Sequence, residues 1–141
     1  STGQEAVPKD EYGNELVGLD EKNRKITVGN DAFYTWISEI YTHLDKYEGY
    51  QISITGFIFK DPETMQSNEF SPARLMMSCC VADLMPVGFI CQYDAAPDLE
   101  DNIWVTVTGT VVKGEYMGEP EPQIAVTEIS PADEVEGYIY P

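Results

Sequence analysis

The chain has 141 residues, 43% of them hydrophobic, which is the composition of one ordinary globular domain and excludes a disordered one. Its 25 acidic residues against 8 basic ones leave a net charge of −17, a surface that repels phosphate backbones and anionic lipid headgroups while admitting cations and divalent metals. No apolar run approaches the roughly 20 residues needed to cross a bilayer, and Cys79, Cys80 and Cys91 are too few and too clustered for a disulfide framework.

Residues 1–23 are polar, acidic and without periodicity, and read as a flexible tail or linker. They lack the basic and apolar regions of a signal peptide. The missing initiator methionine leads to the expectation of a piece trimmed from a longer protein, with any export signal or membrane anchor upstream. The domain itself is expected over 24–141. Its first element is a short strand in "RKITV", followed by a helix over about 31–44 with Asn30 as its cap and Asp31 at the positive end of its dipole. Phe33, Trp36, Ile37, Ile40, Tyr41 and Leu44 recur at spacings of three and four, so all six fall on one buried face.

After "KYEGY" the period changes from helical to alternating. In "QISITGFIF", Ile52, Ile54 and Ile58 share one face with Gly56, while Phe57 and Phe59 point the other way. A second strand is expected from Phe70 to Met77 and a third in "PVGFICQY". A short helix or loop follows in "DAAPDLED", then a fourth strand in "IWVTVTGTVV", the Gly-rich turn "KGEYMGEPEP" and a fifth strand in "PQIAVTEI". The closing "EGYIYP" is apolar enough to dock back on the body. "ISITGFIF" and "VTVTGTVV" carry glycine at the same phase, where a strand bends sharply or lets another backbone approach. Five strands, with an irregular insertion between the third and fourth, predict a mainly β domain. The expected form is a five-stranded barrel like the oligonucleotide/oligosaccharide-binding (OB) fold, with an N-terminal amphipathic helix packed on it.

The chemistry concentrates in "LMMSCCVADLMP". Adjacent side chains on a strand point to opposite faces, so one of Cys79 and Cys80 would enter the core and the other face out. If the backbone turns between them, Cys79, Cys80 and Asp83 offer three ligands to zinc or another divalent metal, and His43, the sole histidine, is a candidate fourth. The competing readings are structural cysteines, a redox pair, and an Asp83 that only accepts backbone hydrogen bonds at a turn. Arg74, isolated between Lys60 and Lys113, is expected to pair with an acid across the barrel or to meet an anionic ligand. Phe57, Phe59 and Trp104 would make a stacking platform for nucleic acid in another setting. In so acidic a chain, packing beneath the helix is the better expectation. One histidine among scattered serines gives no catalytic triad, and no phosphate-cradling glycine loop is present, so no enzyme is expected.

"FYTWISEIYTHLDKYEGYQISITGFIF", "ARLMMSCCVADLMPVGF", "WVTVTGTV" and "YIYP" resemble the C-terminal domain of the YcgQ-like bacterial proteins, a family of predicted membrane proteins of unknown function. The resemblance covers roughly Ile26 to Pro141. Its most specific element is Arg74, Cys79, Cys80, Ala82, Asp83, Pro86 and Gly88, with Val87 here separating the proline from the glycine. The resemblance implies an accessory subunit encoded beside a multi-spanning permease partner. The domain would then be membrane-associated and extracytoplasmic, attached through a segment outside this sequence. Its function would be that of a binding or interaction module, with a zinc-type metal domain and an oligosaccharide- or nucleic-acid-binding module as alternatives. No reaction is implied.

Overall fold

Alternation sets the centre of the molecule. In the computed structural model, which describes residues 6–141, the stretch Gln51–Phe59 is one strand with Ile52, Ile54, Gly56 and Ile58 buried and Ser53, Thr55 and Phe57 between them half-buried. The elements in chain order are β1 (Leu19–Asp20), β2 (Lys25–Thr27), α1 (Phe33–Thr42), α2 (Leu44–Tyr47), β3 (Gln51–Phe59) and β4 (Glu69–Met76). They continue with β5 (Met85–Val87), β6 (Cys91–Gln92), β7 (Trp104–Tyr116) and β8 (Glu119–Pro131). The protein is mainly β: eight strands join one sheet in the order β1-β2-β3-β7-β8-β6-β4-β5, and β3 also pairs with β4. The pairings thus run β3–β7–β8–β6–β4 and return to β3. β2–β3 and β6–β8 are parallel, and the others are antiparallel. Among the described residues no helix is long and apolar enough to cross a membrane.

The two glycines of equal phase serve close approach. A Cβ on Gly56 would lie 2.4 Å from the Pro72 carbonyl carbon of β4, and one on Gly109 would lie 2.4 Å from the Ala125 oxygen of β8. Each strand can therefore be crossed by its neighbour only where a side chain is missing. The Gly109 side also carries a register shift between Thr108 and Gly109.

α1 covers this sheet with Phe33, Trp36, Ile37 and Ile40, all buried. Trp36 is fully buried, meets Tyr47 edge-on at 5.7 Å, and donates its indole N–H to the Val17 carbonyl at 2.8 Å. The expected single helix over about 31–44 ends at Thr42: Leu44 opens α2 and is only half-buried, and Tyr41 is exposed and stacks on Phe89 at 5.8 Å. Asn30 does not cap the helix. It lies in a 3-10 turn (Asn30–Ala32), and its side chain is taken by Arg74.

Three further expectations need correcting. The first five residues of the expected tail lie outside the described residues. In the rest of it, Leu16 is buried in the core and β1 pairs with β2, because the Trp36 bond and the strand pair hold that segment down. The single third strand is two, β5 and β6. At Gly88 between them a Cβ would fall 2.5 Å from Ser71 Oγ, and β5 and β6 pair with different ends of β4. The long Gly-rich turn is mostly strand. β7 and β8 run on to a two-residue turn at Met117 and Gly118, whose φ of 50° and 84° fit the tight hairpins that match strand twist. "DAAPDLED" contains a 3-10 turn at Ala96–Asp98, and the C-terminal segment does dock. Ile139 is buried, donates its N–H to the Leu75 carbonyl at 2.9 Å, and accepts from the Met77 N–H at 3.0 Å.

Candidate functional site

β4 ends at Met76, where the chain is drawn to Ile139 rather than onward along the sheet. Cys79 and Cys80 therefore lie beyond the strand, and the alternation that would bury one thiol does not reach them. Both are exposed. The core cysteine is Cys91, fully buried, with burial pushing its thiol pKa well above the ordinary value.

Beyond Ser78 the backbone folds around Asp83. Its carboxylate accepts the N–H of Ser78 at 3.0 Å, of Cys79 at 2.7 Å and of Cys80 at 3.2 Å, and a 3-10 turn at Val81–Asp83 brings it back over them. Desolvation, the largest single influence, pushes the Asp83 pKa up, but the three backbone hydrogen bonds together hold it below its ordinary value. The turn accepts bonds from residues before the aspartate rather than after it. It also does what the spacing left open: the two thiol sulfurs and a carboxylate oxygen lie within 4.8 Å of one another. His43 stands apart from them at the end of α1, its Nε2 3.9 Å from Glu39, and is not part of the cluster.

Arg74 is placed by the outer half of the same strand, where it pairs with Val87 of β5, and is 4% exposed. Its guanidinium lies over two rings, 5.4 Å from the Phe33 centroid and 5.5 Å from that of Trp104, and donates to Asn30 Oδ1 at 3.2 Å. The expected acid across the sheet is not there: no ion pair among the described residues involves Arg74. Burial lowers its pKa from the ordinary value. Arg74 lines a groove of about 590 Å³ whose walls include Phe57, Trp104 and, from the C-terminal segment, Glu134, Glu136 and Tyr138. Phe57 and Trp104 therefore do not pack beneath the helix as expected. They meet edge to face at 5.9 Å beside a cavity.

The sequence singles out Arg74, Cys79, Cys80 and Asp83, and names Asn30 and Phe33 only as helix residues, while their meeting with Arg74 and the places of Glu134, Glu136 and Tyr138 go unforeseen. Asn30 and Arg74 are 44 positions apart, and no local period links a strand arginine to a helix-start asparagine or to the chain's end.

The family profile described as DUF1980 C-terminal domain matches residues 4–141. The UPF0703 protein YcgQ of Bacillus subtilis (strain 168) is 23% identical over 111 residues, covering 77% of this chain and 39% of that protein. The chain thus matches about two-fifths of the length of the curated relative.

Proposed function

This chain belongs to the DUF1980 C-terminal domain family, and on that premise we propose that it is an extramembrane binding domain carrying an open site for a soft divalent metal at Cys79, Cys80 and Asp83. The observation that carries the metal reading is the convergence of two thiols and a carboxylate within 4.8 Å on a turn whose backbone orients the carboxylate. The donor set suits zinc, which takes thiolate and carboxylate ligands. Asp83 is held by backbone N–H groups, as metal-ligating carboxylates are commonly held by hydrogen bonds outside the metal's own shell.

Structural zinc is closed by four ligands, whereas a site with three leaves one position free. Three ligands, two of them exposed thiols, suit a metal that is picked up and passed on. The core lies elsewhere and includes none of the three.

The test is zinc loading of the purified domain, with thiol titration and melting curves with and without chelator. One equivalent of zinc, thiols protected only when it is bound, and a Tm that rises with zinc support the site, because a ligand of the folded state must raise apparent stability. Freely reactive thiols and a Tm indifferent to zinc discard it.

Two further parts complete the reading. The circuit β3–β7–β8–β6–β4, antiparallel except for β6–β8, supports an OB-like barrel built from those five strands. The resemblance to YcgQ-like proteins supports a place outside the cytoplasm, a membrane attachment outside this sequence, and a multi-spanning permease as partner. Crosslinking of the full-length protein in membranes checks the partner, and repeated failure to recover a multi-spanning protein counts against it.

A further inference from the structure

The groove beside Arg74 has a built interior that the metal reading does not use. An arginine stays protonated in proteins and offers five N–H donors. Here one of its nitrogens is bonded to Asn30 and its guanidinium carbon lies over the rings of Phe33 and Trp104. Burying a cation without a carboxylate partner is costly, and a protein retains such a group where something else meets the charge. Among the described residues, Ser71 Oγ is the one sealed side-chain polar atom without a partner. The unused guanidinium nitrogens are therefore not sealed, and Arg74 lines an open cavity.

The walls narrow the choice of ligand. A cavity of about 590 Å³ is in the range of small-molecule sites. Phe57, Trp104 and Tyr138 offer aromatic surface, while Glu134 and Glu136 stand on the same cavity with no ion-pair partner among the described residues. A simple anion, and a doubly charged phosphate above all, would meet Arg74 only against those two carboxylates and a net charge of −17. A carboxylate with an ammonium beside it suits both signs. We infer that the Arg74 groove is a binding site for a zwitterionic α-amino acid with an apolar or aromatic side chain. Its carboxylate meets Arg74, its ammonium meets Glu134 or Glu136, and its side chain lies on Phe57 and Trp104. The bonds of Ile139 to Leu75 and Met77 hold the wall that supplies the two glutamates. Neither cysteine of the metal site lines this groove, so the two readings stand or fall separately.

The test titrates the domain with L-phenylalanine, L-phenylalaninamide, N-acetyl-L-phenylalanine and inorganic phosphate, by calorimetry and tryptophan fluorescence. L-phenylalanine is expected to bind saturably. Blocking either its carboxylate or its ammonium is expected to weaken it at least about tenfold, the effect of losing one charge-assisted hydrogen bond. The double substitution Glu134→Gln with Glu136→Gln, on exposed residues, is expected to leave the melting curve in place and erase the preference for a free ammonium. Arg74→Lys is expected to reduce the preference for a free carboxylate; if that buried substitution unfolds the chain, the glutamate pair still decides. Absence of saturable binding, equal binding of the amide, tighter binding of phosphate than of the amino acid, or a double variant that still rejects N-acetyl-L-phenylalanine overturns the inference.

Discussion

At the β3–β7 pair the inward side chains of Ile52, Ile54 and Val107 are at most 1% exposed, and Trp36 closes the layer above at 0%. At the outer half of β4 and the turn beyond it, both thiols are exposed and Arg74 is covered by rings yet open to a groove. The first region is held by packing, where each large apolar side chain contributes roughly 1.5–3 kcal/mol on burial. The second is held by directed bonds: backbone N–H groups onto Asp83, and Arg74 onto Asn30. Groups that must meet a ligand cannot also be sealed, so the chemistry sits where the packed layer stops.

Four experiments press on that contrast. Trp36→Ala removes the largest fully buried side chain, its edge contact with Tyr47 and its bond to Val17. It is expected to cost about 3–5 kcal/mol, read as a lower denaturant midpoint at unchanged slope. Gly56→Ala drives a methyl group into the Pro72 backbone, which cannot rotate aside. A loss of about 1–3 kcal/mol is expected, and a neutral result would show that the β3–β4 crossing is looser than drawn. Cys79→Ser and Cys80→Ser belong to the other region. Each is expected to move the metal-free melting curve by no more than about 0.5 kcal/mol while removing the zinc-dependent rise in Tm; large metal-free losses would mean the turn carries the fold.

The smallest effect concerns pH. Asp83 ionises more readily folded than unfolded, so its bonds contribute above the ordinary aspartate value of 3.8 and fade as pH drops through the lowered folded value. Melting curves of wild type and Asp83→Asn should therefore differ near neutrality and converge only below that value. A difference that persists at all pH would show that the charge on the carboxylate is not what orders the turn.

What the sequence disclosed follows the same division. Period-two runs and the three-and-four spacing from Phe33 exposed β3, β7 and the inner face of α1, because burial imposes a rhythm on every residue it touches. Even the matched glycines were readable, as missing side chains at one phase. Leu16 was not, since one apolar residue in an acidic stretch has no rhythm. Neither was the break at Gly88–Ile90, which depends on Ser71 and Pro72 in another strand. The residues of the thiol turn were nameable but their convergence was not. The strand stops short because a distant isoleucine captures its end.

Trp36 gives this domain a firm lower limit on where it can be excised. A chain started at Arg24 would leave the indole N–H without the Val17 carbonyl and expose to water the core surface covered by Leu16. Any truncation meant to isolate the folding unit has to begin upstream of both, well ahead of the first helix.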